Sequence, residues 1–248
     1  MNAIYILWLR QLIRYYRSKS RIIGSLGQPL LFLIALGFGF GPIYSKAGGG
    51  NYIQFLVPGI IGMSIMFTGV FMGVETIWDR QFGFLKETMV APVSRFNIML
   101  GRTLGGATVS TGQGLIVLAL SFLVGFKLNN WFFLPVGLLV MFLIALVFTA
   151  LGTAIGSLME DMHGFQLITN FLIMPLFFLS GALFPLQGLP PIVTGVAMAD
   201  PLTYGIDALR IVLLGAGHFS LSLDLLVTAG VCLLIIGIGS LFFSRMEV

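Results

Sequence analysis

Cysteine is nearly absent from this chain. The single example among 248 residues, Cys232, lies in an apolar run. One thiol excludes a disulfide within the chain and a cysteine-based metal site, so Cys232 reads as packing. Charge is scarce as well: 9% of residues are Asp, Glu, Lys or Arg, against about 25% in soluble domains. So few charges cannot cover a surface that faces water, which excludes an ordinary soluble domain. There are two histidines, and the Glu160-Asp161-x-His163 cluster supplies too few spaced ligands for a closed tetrahedral set. The phosphate loop G-x-x-x-x-G-K-[ST] occurs nowhere, which excludes that route to nucleotide hydrolysis by this chain.

What is present is apolar: 58% hydrophobic residues, with 32 glycines, a residue commoner in membrane helices than in soluble ones. A crossing helix needs about 20 mostly apolar residues. Six segments qualify: 22–40, 55–74, 98–124, 132–158, 165–184 and 223–243. The third and fourth exceed the hydrocarbon thickness and imply tilt or protrusion. The first is too long for the h-region of a cleaved signal peptide, about 7–15 residues. The fold class expected is an all-α membrane protein with six transmembrane helices, a single transmembrane domain over 1–248.

The basic residues orient it. With the N-terminus in the cytoplasm, ten lie inside (Arg10, Arg14, Arg17, Lys19, Arg21, Arg80, Lys86, Arg95, Arg102, Arg245) and three outside (Lys46, Lys127, Arg210). That asymmetry follows the positive-inside rule, and six spans return the C-terminus to the cytoplasm. The net charge of +4 therefore reflects topology rather than nucleic-acid binding.

Segment 1–21 is patterned but too polar to cross. Arg10, Arg14, Arg17 and Arg21 recur at steps of four, three and four, while Ile4, Leu7, Trp8, Leu12 and Tyr15 fall largely on another face. This reads as a basic amphipathic helix in the cytoplasmic interface with its cations near headgroups, serving as an orientation anchor or as a docking element. Three glycine pairs at steps of four, Gly69/Gly73, Gly101/Gly105 and Gly152/Gly156, permit close helix approach.

Two connections exceed what a turn needs. Segment 75–97 interleaves charges of both signs with apolar residues; Leu85 and Met89 form an i, i+4 pair and Pro92 ends the helical pattern. It reads either as a plain surface loop or as a short helix that docks on a protein partner. Segment 185–222 holds Pro185, Pro190, Pro191 and Pro201 among apolar stretches. It reads as an external hairpin of two short re-entrant helices, because broken backbone at membrane depth needs shelter from protein or a cavity. Asp207 and Arg210 stand three apart on the second piece, placed to pair as a clamp on the hairpin.

The stretch RQFGFLKETMVAPVSR (80–95) resembles the signature that follows the second span in ABC type-2 exporter permeases. A second block matches the same family: PLFFLSGALFPL (175–186), then Leu189-Pro190, then DPLTYGIDALR (200–210). The resemblance covers essentially the whole chain and is nearest to the short permeases of drug- and antibiotic-resistance exporters; Lys86 departs from many relatives. The family implies a transport subunit that is not itself an enzyme, with no cofactor or metal of its own. ATP and Mg would sit on a separate cytoplasmic ABC ATPase, and two permease copies, identical or related, would pair in the cell membrane. It implies a coupling helix within 75–97, with Glu75, Asp79, Arg80, Gly83, Leu85, Glu87, Met89, Pro92 and Arg95 at the ATPase contact. Arg10, Arg14, Arg17 and Arg21 would form the interfacial helix beside it. Ser180, Gly181, Pro185, Pro190, Pro201, Tyr204, Asp207 and Arg210 would shape an external hairpin or gate. The cargo class implied is lipophilic or amphipathic: a drug, lipid or glycolipid.

Two other classes compete. A six-span intramembrane serine protease would need a base near Ser180, but His163 falls toward the opposite side of the membrane and Phe178 stands where such a motif needs glycine. A secondary transporter usually keeps ionisable residues at the midplane, and the span centres here carry almost none.

Overall fold

The computed structural model describes residues 3–47, 50–90, 92–186, 188 and 190–245. Leu189 and the side chains of Lys86, Met89 and Arg245 lie outside the described residues. Among the described residues there is no strand. The helices run α1 (Ala3–Arg17), α2 (Lys19–Lys46), α3 (Tyr52–Phe71), α4 (Val74–Gln81), α5 (Phe84–Val90), α6 (Arg95–Ser121), α7 (Leu134–Leu158), α8 (Met162–Leu179), α9 (Pro191–Ala199), α10 (Pro201–Leu214) and α11 (Leu221–Arg245). Six stretches are long and apolar enough to cross a membrane: Lys19–Lys46, Tyr52–Gln81, Arg95–Val124, Trp131–Leu158, Met162–Leu179 and Leu221–Phe243. Each overlaps one of the six expected from the sequence.

The central helix is α3. Every residue from Leu56 to Met66 is buried, because α2, α6, α7 and α10 pack around it. Glycines make the closest crossings possible. A methyl group at Gly73 would collide with the carbonyl of Gly152, and one at Gly156 with the carbonyl of Gly73. Two of the glycine pairs thus face each other across α3 and α7. The third receives α1: a methyl at Gly101 would meet Ile4 and Leu7, and one at Gly105 would meet Gln11. Without side chains in the way, backbones approach and gain dispersion contacts, which drive helix association where lipid removes the hydrophobic term.

α1 accordingly lies along the first half of α6, running in the same direction. Trp8 Nε1 donates to Thr108 Oγ1 at 3.0 Å and the Tyr15 hydroxyl donates to Gln113 Oε1 at 2.5 Å. Its apolar face is therefore spent on another helix of the chain. Large apolar side chains elsewhere point outward, among them Leu31 and Phe38 of α2, Phe171 of α8 and Leu233 of α11. They require a cover of lipid or protein.

Two expected boundaries move. The fifth span, expected to reach residue 184, stops at Leu179. Ser180 caps it, its Oγ donating to Phe177 O at 2.8 Å, and Gly181 then takes the left-handed φ of 73° that turns the chain. The connection 75–97 holds two short helices rather than one. Gly83, at φ 78°, separates α4 from α5, a conformation that costs glycine little and other residues about 1–2 kcal/mol.

Candidate functional site

At the end of the bundle where α1, α4 and α5 gather, four arginines converge on two carboxylates. Glu75 and Asp79 sit one turn apart on α4, and both are buried. Docking of α1 on α6 turns the arginine stripe toward them. Arg10 donates from both terminal nitrogens to Asp79, at 2.9 and 3.1 Å, in a bidentate pair. Arg102, rising from α6 and itself buried, donates to Asp79 Oδ2 at 2.6 Å and to Thr76 Oγ1 at 3.3 Å. Arg21 at the start of α2 donates to Glu75 Oε1 at 2.5 Å. Arg14 hangs between the two, 3.5 Å from Asp79 and 3.7 Å from Glu75, and its Nη1 makes no hydrogen bond.

This corrects the picture of a stripe facing lipid headgroups. Arg10, Arg14 and Arg21 meet protein carboxylates, while Arg17 is exposed. Periodicity shows which residues share a face but not what that face meets. Glu75 and Asp79, expected at a partner contact, have their carboxylates turned into the protein. Removing one member of a buried ion pair costs about 3–5 kcal/mol, so the cluster binds α1, α2, α4 and α6 into one unit.

α5 hangs from that unit. The Arg10 guanidinium stacks 3.7 Å from the centroid of the Phe84 ring. Leu85, completely buried, packs with Leu7, Ile98, Met99, Ala150 and Phe243. Leu85 therefore anchors the helix instead of presenting itself outward. The outward surface is made by Phe82 and Val90, 83% and 86% exposed, with Glu87, Pro92 and Arg95 also exposed. Sequence reasoning passed over Phe82 and Val90. Their signal was there, since both are apolar residues in a charged stretch that no predicted helix face had claimed. Arg80 turns sideways to Glu160 at 3.7 Å, beside Gln81 Nε2, which donates to the Glu160 carbonyl at 3.2 Å.

At the other end α9 and α10 form the hairpin. Asp200 caps α10 by accepting from Leu202 N at 2.9 Å, and Pro201 occupies the first turn, where no N–H is needed. The Tyr204 hydroxyl donates to Met198 O at 2.8 Å and Thr203 Oγ1 to Ala197 O at 2.7 Å, which tie the two helices together. Asp207 and Arg210 do not pair. Asp207 accepts from the backbone of His218 (2.8 and 2.9 Å) and Phe219 (2.7 Å). Arg210 donates to Gly181 O at 2.7 Å and lies 4.0 Å from the Phe55 ring centroid. Each closes a different turn against α10, and those partners outcompete a pair across one helical turn. Ser180 is buried and Pro185 and Pro190 are exposed at the rim. Phe55, Ser180, Pro185, Asp207 and Arg210 border a small cavity of about 190 Å3.

A larger cavity, about 700 Å3, lies between the α1–α2 elbow, the second half of α3, α4 and the start of α8. The charged cluster forms part of its wall through Arg14, Arg21 and Glu75.

Six stretches long and apolar enough to cross a membrane, with a buried charge cluster tying a short surface helix to them, define a multi-pass membrane protein. The chain belongs to the ABC-2 type transporter family, whose model matches residues 2–214. It is 30% identical to nodulation protein J of Rhizobium leguminosarum bv. trifolii, over 84% of this chain and 80% of that protein. It is 28% identical to the inner membrane transport permease YadH of Escherichia coli K12, over 86% and 83%. It is 29% identical to the putative transport permease ycf38 of Cyanophora paradoxa, over 85% and 73%.

Proposed function

We propose that this chain is the membrane half of an ATP-driven exporter, powered by a cytoplasmic ABC ATPase on a separate chain, which holds the ATP and Mg. The observation that carries the reading is the mounting of α5. Phe82, just before the helix, and Val90, at its end, are exposed, and the helix is held by buried Leu85 and by Phe84 under the Arg10 guanidinium. A partner seated on that surface pushes on a helix that cannot yield locally. Displacement of α4 and α5 passes to α2 through Arg21–Glu75 and to α6 through Arg102–Asp79, so the spans tip as bodies.

The basic end is the cytoplasmic one, with both termini inside, as the asymmetry of Lys and Arg requires. The apolar outward faces of α2 and α8 suit a second permease copy, identical or related, with the pathway between the two. The hairpin of α9 and α10 then borders the outer exit. The cargo is lipophilic or amphipathic, a drug, lipid or glycolipid, in keeping with the largely apolar lining of the 700 Å3 cavity.

The test is reconstitution of the permease with a candidate cytoplasmic ABC ATPase. The Phe82→Asp/Val90→Asp variant is expected to keep its fold and lose stimulation of ATP hydrolysis at least tenfold. Full stimulation by that variant contradicts the assignment.

A further inference from the structure

The 700 Å3 cavity is polarised along its length. At one end the α1–α2 elbow brings Arg14, Arg21, Ser18 and Ser20 to its wall; further along α3 the wall is Met63 and Phe67. Met63 lies eleven residues before Val74 on α3 and its extension, about 16 Å at 1.5 Å per residue. That is the reach of a medium-length alkyl chain.

The polar end carries an excess of positive charge. Four guanidiniums surround two carboxylates, an excess of two positive charges beside an apolar space. Asp79 is occupied by Arg10 and Arg102, and one oxygen of Glu75 by Arg21. The other oxygen of Glu75 stands 3.7 Å from Arg14 without a hydrogen bond. Arg14 Nη1 is a buried donor that makes no hydrogen bond. A buried donor of this kind is costly unless something accepts from it. A guanidinium is suited to a planar or tetrahedral oxyanion.

We propose that this cavity binds an amphiphile with an anionic head, the head at Arg14 and Arg21 and the tail along α3 past Phe67 and Met63. The inference rests on the export reading for its meaning, since the bound amphiphile is then the cargo; binding itself requires no ATPase.

Trp78 lines the cavity and reports on it. The full chain carrying Trp8→Phe and Trp131→Phe keeps Trp78 as its tryptophan. Purified in a non-ionic detergent, it is titrated with dibrominated oleyl phosphate and, separately, with dibrominated oleyl alcohol, which has the same tail and a neutral head. The phosphate is expected to quench Trp78 at a concentration at least tenfold lower than the alcohol. Arg14→Gln and Arg21→Gln are expected to erase that difference, and Lys19→Gln, on an exposed residue outside the cavity, to preserve it. Gly24 lines the cavity and has open space where a side chain would stand. Gly24→Leu is therefore expected to fold and to weaken quenching by both compounds, which keeps the test valid if an arginine variant fails to fold. Equal quenching by phosphate and alcohol overturns the head assignment. Quenching by the phosphate that Gly24→Leu leaves unchanged overturns the cavity and marks binding at the protein's outer surface. Head-selective binding with no ATP-driven transport of the phosphate would strike the export reading instead.

Discussion

Asp79 of α4 accepts from Arg102 of α6 at 2.6 Å, with both side chains at most 5% exposed. Arg102 is buried and takes Asp79 as its ion-pair partner, while Asp79 also accepts from Arg10. The pair fixes the connection between the second and third spans to the third span itself. Arg10 then extends the join to α1 and, through the Phe84 ring, to α5.

Asp79→Ala leaves the buried Arg102 unpaired. It is expected to lower the stability of the detergent-solubilised permease by about 3–5 kcal/mol, read as a fall in thermal unfolding midpoint. Arg10→Gln is expected to cost less, because Arg10 is partly exposed and Asp79 keeps Arg102 as its partner. Equal midpoints for Asp79→Ala and the wild type would remove the cluster from its structural role.

Glycine at position 73 is required by distance. A methyl there collides with the carbonyl of Gly152, whereas one at Gly24 meets nothing. Gly73→Ala is expected to destabilise by about 1–3 kcal/mol through overpacking. Gly24→Ala should be neutral or stabilising by about 1 kcal/mol at most, the helix-propensity gain. Thermal unfolding of the two variants side by side checks the contrast.

How far the sequence anticipated this arrangement depends on which physical constraint each feature obeys. The six spans were legible because lipid imposes a length on any apolar helix, and that demand is local. The arginine stripe was legible as a stripe, but its target was not, since Glu75 and Asp79 lie more than fifty residues away along the chain. Glycine spacing marked Gly69/Gly73 and Gly152/Gly156 as contact surfaces without showing that each is the other's partner. The same limit misplaced Leu85 at a surface. An isolated apolar residue on a short amphipathic helix faces either a partner or its own protein, and only the position of Leu7, Ile98 and Phe243 decides which. Asp207 and Arg210 had pairing geometry, but backbone groups of His218 and Phe219 and of Gly181 had better claims.

Asp224, near the start of α11, is fully buried and neither of its oxygens accepts a hydrogen bond. A carboxylate with no partner is costly to bury, so its replacement relieves the protein. Asp224→Asn is expected to keep or raise the unfolding midpoint while leaving ATP-driven transport unchanged. A large loss of transport with an intact fold would make Asp224 part of the pathway.

The docking of the ATPase on α5 is the claim on which the rest depends. A photo-reactive benzoylphenylalanine is placed at Val90, at the end of α5, in one sample and at Ile192, exposed on α9 at the opposite end, in another. Each is irradiated in membranes that also contain the ATPase. Cross-linking to the ATPase from position 90 and none from position 192 is the predicted result. Cross-linking from position 192, or none from position 90 in a complex that hydrolyses ATP and transports, would contradict the account.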